Sequence, residues 1–141
     1  MGSAGIDQLT SQLVPISTPE QVNAARKVVQ DRAVALGFGT LERTKFVTAV
    51  SELARNTLVH GGGGTMTLTE VTAKGRLGLQ VDFEDQGPGI ADVSLALQDG
   101  FTTARSLGLG LGGARRLVSE FEISSTPGAG THVRIVQWKR R

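Results

Sequence analysis

Glu52 and Asn56 stand four residues apart in a strongly helical stretch, so a carboxylate and a carboxamide project from one face. An amide carbonyl is a hard-oxygen ligand suited to Mg²⁺ and to the phosphates that travel with it. A carboxylate one turn away could take a proton from a nucleophilic hydroxyl. Arg55 is expected to face elsewhere. Far along the chain, Asp85-Gln86-Gly87-Pro88-Gly89 closes an apolar run. There Asp85 could accept a hydrogen bond from an exocyclic amine, while Gly87 and Gly89 let the backbone pass close to a planar base. Together the two groups suggest a nucleotide site held by a metal ion. Each also has a plainer reading: the first is what any amphipathic helix shows to solvent, and the second ends strands in many proteins.

A third group, Gly108-Leu109-Gly110-Leu111-Gly112-Gly113, satisfies G-x-G-x-x-G. The dinucleotide fingerprint needs a preceding strand, and Phe101 to Ser106 does not read as one. Glycines opening a helix still turn free N–H groups toward phosphate. No G-x-x-x-x-G-K-[ST] or G-x-S-x-G is present, and His60 and His132 have no third ligand at zinc spacing.

These groups need elements to hold them. Leu9 to Ser17 alternates as a strand, with Leu9, Ser11, Leu13 and Pro15 on one side; the proline places it at a sheet edge. Thr18-Pro19-Glu20-Gln21 starts a helix that runs to about Leu36, where Gly37 and Gly39 stop it. A second helix runs from Thr40 or Leu41 to about His60 and ends in Gly61 to Gly64. Met66 to Val71 and Leu77 to Phe83 read as strands joined at Lys74-Gly75. Asp92 to Leu97 reads as a short helix, Gln98 to Leu111 as a long loop, and Gly112 to Phe121 as a helix. Glu122 to Ser125 and Thr131 to Trp138 make a last hairpin. The order predicts an α/β (α+β) two-layer sandwich, one mixed, largely antiparallel sheet covered by helices on one face.

At 141 residues the chain is long enough for one domain with a real core, and we expect a single domain over 1–141 with 1–5 a loose end. Aromatics make up only 4%, so Val, Leu, Ile and Ala must fill that core. A formal charge of +2 without a basic stripe argues against nucleic acid. The absence of cysteine excludes a disulfide scaffold, and no apolar run reaches transmembrane length. We expect a cytoplasmic protein with no membrane partner.

In their order and spacing, Glu52-Leu53-Ala54-Arg55-Asn56, Asp85-Gln86-Gly87-Pro88-Gly89, Gly108-Leu109-Gly110-Leu111-Gly112 and Gly130-Thr131 resemble the GHKL (Bergerat-fold) superfamily. That group includes gyrase, the heat-shock chaperone ATPase, histidine kinases and MutL. The likeness spans roughly Val22 to Trp138. The short length is similar to the anti-sigma and switch-kinase branch. Thr48 to Asn56, Glu84 to Ile90, Asp99 to Thr103 and Val136 to Lys139 look most like the RsbT family, serine/threonine kinases of the stressosome.

The resemblance implies ATP and Mg²⁺ as cofactors. It makes Glu52 the general base and Asn56 the Mg²⁺ ligand. Asp85 becomes the adenine-reading carboxylate, with Gly87 and Gly89 shaping the base pocket and Thr131 supporting it. Gly108, Gly110 and Gly112 become the phosphate-covering loop, with Gln98 to Leu111 as the lid. The implied substrates are STAS-domain scaffold or antagonist proteins, and the implied output is a downstream protein such as a phosphatase. Two other functions stay open: an anti-sigma factor that sequesters a sigma subunit and phosphorylates its STAS antagonist, and a nucleotide-sensing module without significant kinase activity.

Overall fold

The computed structural model describes residues 7–97 and 111–140. The loose end expected at 1–5 and nearly all of the loop from Gln98 to Leu111, with Gly108 and Gly110, lie outside these residues. The elements are β1 (Asp7–Ile16), α1 (Pro19–Ala35), α2 (Thr40–Val59), β2 (Gly64–Ala73), β3 (Arg76–Asp85), α3 (Val93–Ala96), α4 (Leu111–Leu117), β4 (Glu120–Thr126) and β5 (Gly130–Trp138). Five strands form one sheet in the order β1-β2-β3-β5-β4. Every pairing is antiparallel, so the sheet needs none of the mixed pairing that the element order allowed. β5, late in sequence, lies between β3 and β4.

Both long helices form where their caps and stops put them. Thr18 accepts a hydrogen bond from the Gln21 backbone N–H, and Pro19 fills the first turn of α1. At the other end Gly37 turns left-handed at φ +80°. Gly37 N–H bonds the Val34 carbonyl and Phe38 N–H bonds the Ala33 carbonyl, with Phe38 buried behind them. That corner folds α2 back along α1. One stripe of each helix then meets the sheet: Ala25, Val29 and Ala33 from α1, and Phe46, Val50, Leu53 and Ala54 from α2. The sheet answers with Met66, Leu68, Leu79, Val81, Phe83, Val133 and Ile135.

The register gives the other sheet face Thr67, Asp82, Arg134 and their neighbours. Asp82 has little solvent and accepts hydrogen bonds from His132 Nε2 and Arg134 Nε, each at 2.7 Å. A buried carboxylate needs such partners to offset its lost hydration. On β1, Val14 and Ile16 are buried while Leu9 and Leu13 stay exposed, and Pro15 opposes Thr65 from the sheet edge. One boundary differs from expectation. The last helix stops at Leu117 instead of Phe121, because Glu120 already pairs with Val136 and Phe121 with Ile135. Phe121 thus packs against the core from a strand.

Candidate functional site

Glu52 and Asn56 both lie on α2, one turn apart on its less buried side. Glu52 is about one-third exposed, and its Oε1 accepts a hydrogen bond from Arg55 Nη1 at 3.1 Å. Arg55 was expected to face elsewhere; the i,i+3 spacing instead brings it back along the helix surface to the carboxylate. As an exposed pair it adds only about 0.2–0.5 kcal/mol to the helix, so its effect is on where the carboxylate points. The Asn56 Oδ1 atom is enclosed and takes no protein hydrogen bond, although the residue has bonded neighbours. A carboxamide oxygen is a hard donor of the kind Mg²⁺ takes.

α2 runs into the glycine run at 61–64, and this run delivers the helix end to Asp85. Gly61 is not among the glycines with positive φ, so its backbone alone would accept a side chain. A methyl there would lie 2.6 Å from both Cβ and Oδ2 of Asp85. The carboxylate occupies the space that the missing side chain leaves. Gly87 is held in the same way, since a Cβ on it would come 2.7 Å from Gly61 Cα. Asp85 ends β3, and its Oδ1 accepts the Gly87 backbone N–H at 2.9 Å. One carboxylate oxygen therefore holds the turn, and Oδ2 remains for a ligand. A Cβ at Gly61 would meet Asp85 Cβ as well as its carboxylate, and Cβ is fixed by the backbone, so Gly61→Ala has to displace the Asp85 turn itself and should lower the melting temperature. ATP affinity should drop by at least about tenfold. Calorimetry alongside thermal melting checks this, and unchanged affinity would show that the Gly61–Asp85 junction does not shape a nucleotide site.

The turn is fastened on its other side by the β4–β5 hairpin. Gly128 N–H bonds the Pro88 carbonyl at 2.7 Å, and Ile90 N–H bonds Ser125 Oγ at 2.8 Å. Gly89, at φ +75°, passes so close that any Cβ would collide with the Thr126 carbonyl. Thr131 sits directly opposite Asp85 in the β3–β5 register. A polar depression of about 210 Å³ follows the end of these strands, lined by Asp85, Gln86, Ser125, Gly130 and Thr131 with Glu84, Ser124 and His132. It is smaller than the roughly 300–1,000 Å³ usual for ligand pockets, and by register Glu84, Ser124 and His132 belong to the sheet face of Asp82 and Arg134, opposite the face that carries Asp85 and Thr131.

The structure therefore brings Asp85, Gly87, Gly89 and Thr131 to one end of the sheet, with Glu52 and Asn56 on the helix that leads there. Gly112 is buried in α4, which packs on α2; Gly108 and Gly110 lie outside the described residues. Sequence reasoning missed Gly61 and Ser125. The glycine run reads as a plain helix stop, and Ser125 as one more polar position on a strand.

The sequence profile of the histidine kinase-like ATPase domain matches residues 16–137. The chain is 42% identical over 127 residues to the serine/threonine-protein kinase RsbT of Bacillus subtilis (strain 168), covering 90% of this chain and 96% of that protein. It is 32% identical over 129 residues to the anti-sigma F factor of Thermoanaerobacter sp. (strain X514), covering 87% of this chain and 89% of the relative. Among solved structures, the RsbU and RsbW domains of a Mycobacterium tuberculosis protein superpose with TM-score 0.60 at 20% identity, over 94% of this chain and 34% of that one. The catalytic domain of histidine kinase ThkA superposes with TM-score 0.52 at 14% identity, over 91% of this chain and 98% of that one. At these identities the structural matches speak to fold.

Proposed function

The chain belongs to the histidine kinase-like ATPase domain family, and from that membership we propose that it is an ATP-dependent serine/threonine protein kinase acting in partner switching. The observation that carries the reading is the joining of two half-sites. The α2 face bearing Glu52 and Asn56 leads through Gly61 onto the Asp85 carboxylate, with Thr131 opposite. The kinase assignment draws on the likeness to RsbT over nearly the whole of both chains.

Asp85 would read the exocyclic amine of adenine, in a base pocket shaped by the close packing of Gly87 on Gly61 and of Gly89 on Thr126. Asn56 would hold Mg²⁺, which when bound neutralises phosphate charge during transfer. Glu52 would accept the proton of the attacking hydroxyl. Phosphoryl transfer needs little more from a protein than position and charge, and a helix-borne pair supplies both. Gly108, Gly110 and Gly112 would line the lid over the phosphates. On this reading the substrates are STAS-domain proteins of the stressosome type, the output is a downstream protein such as a phosphatase, and the protein works in the cytoplasm. No described helix is long and apolar enough to cross a membrane.

The likeness to an anti-sigma factor supports a second reading, in which a sigma subunit is also held. Incubation of the protein with labelled ATP, candidate STAS proteins and sigma subunits separates the two. Label on an STAS serine or threonine without sigma co-elution is the expected result. Sigma co-elution would favour the second reading. ATP binding with no transfer to any STAS protein would reduce the chain to a nucleotide-binding module.

A further inference from the structure

We propose that Ser125 sets the purine preference of this site by fixing the Thr131 hydroxyl as a hydrogen-bond acceptor beside Asp85. The inference rests on reading this end of the sheet as the base pocket. A serine hydroxyl carries one hydrogen and two acceptor lone pairs. Three groups converge on Ser125 Oγ: the Ile90 N–H at 2.8 Å, the Gly130 carbonyl at 3.1 Å and Thr131 Oγ1 at 2.8 Å. The Ile90 amide can only donate, and the Gly130 carbonyl can only accept. One arrangement serves all three. Ile90 donates to Ser125, Ser125 donates to Gly130, and Thr131 donates to the remaining lone pair of Ser125. The alternative turns the Ser125 hydrogen toward Thr131 and gives up its bond to the Gly130 carbonyl, so it serves one contact fewer.

In the favoured arrangement the single hydrogen of Thr131 is committed to Ser125, and only lone pairs face the pocket. Thr131 opposes Asp85 on the same sheet face, which sets their Cβ atoms about 4.5–5.5 Å apart. Asp85 is itself an acceptor, with Oδ1 already engaged by Gly87. Two neighbouring acceptors select a ligand edge that donates. A 6-aminopurine places N–H groups there, whereas a 6-oxopurine places a carbonyl oxygen against two acceptors. Removing the Ser125 hydroxyl frees the Thr131 hydrogen to donate, and the penalty on the oxo group falls. Ser125 is thus a positioning residue that acts through Thr131.

Calorimetric affinities for ATP and inosine triphosphate test this on the full chain. Wild type should prefer ATP. Ser125→Ala should lose about tenfold of that preference, Ser125→Thr should restore it, and Ser125→Ala combined with Thr131→Val should lose no more than Thr131→Val alone. A Ser125→Ala protein that weakens both nucleotides equally, with the preference intact, would overturn the proposal and leave Ser125 a packing role. Should Ser125→Ala not fold, Thr131→Val decides alone, and an intact preference in it overturns the proposal equally. Wild-type protein that binds neither nucleotide would instead sink the base-pocket reading itself.

Discussion

Asp85→Asn is expected to weaken ATP binding at least about 100-fold while the protein stays folded. The side chain changes by one atom, and the reason for the loss lies in how that atom is used. Gly87 N–H needs an acceptor, and Asp85 Oδ1 supplies it at 2.9 Å. In the variant the amide oxygen takes over that bond, which preserves the turn. The amide nitrogen then occupies the place of Oδ2 and meets the adenine amine donor to donor. Rotating the amide to cure this clash would break the Gly87 bond instead. Titration calorimetry reads the affinity, and a melting temperature close to wild type shows the fold. Wild-type affinity in a folded variant would remove Asp85 from base recognition.

Glu52→Ala is expected to bind ATP normally and to transfer phosphate about 100-fold more slowly, or worse, as loss of a general base costs. Glu52 is on α2, and the groups that grip Asp85 come from the glycine run, the β3 turn and the β4–β5 hairpin. Binding and chemistry should therefore separate. The variant also leaves Arg55 without its 3.1 Å partner, at little cost in stability because that pair is exposed. Single-turnover transfer of labelled phosphate to an STAS substrate measures the step. Transfer at the wild-type rate would leave charge neutralisation and positioning as the whole mechanism and return Glu52 to the helix surface.

Much of this architecture was legible in the residues because local rules and tertiary packing agree. Thr18, Pro19 and Gly37 bound α1 where caps and left-handed turns require; the period of β2 shows in buried Met66 and Leu68, whereas β3 is buried on both faces from Gly78 to Phe83. Gly87, Gly89 and Thr131 could be grouped with Asp85, as the structure places them at one end of the sheet, because ordered motifs carry information that no single motif has. The misses have physical causes. Phe121 continued a helical pattern, yet ladder pairing with Ile135 claims it for β4. Arg55 seemed unrelated to Glu52 because apolar periodicity does not report polar side chains reaching along a helix surface. Gly61 and Ser125 act through residues far away in sequence, on Asp85 in one case and on Ile90 and Thr131 in the other.

The central placement of β5 has a consequence for how activity and folding are linked. Asp85 and Thr131 come from strands that meet only when the β4–β5 hairpin docks its β5 strand on β3. Such long-range pairing is slow compared with forming the α1–α2 hairpin. A chain with its helices and first three strands in place would still have an open seam and no complete nucleotide pocket. On the proposed reading ATP touches both sides of that seam, so it would bind the closed form alone and hold it closed increasingly as its concentration rises. The ligand would then act as a cross-brace for the last strand to dock, and chains with the seam open would be the ones without nucleotide.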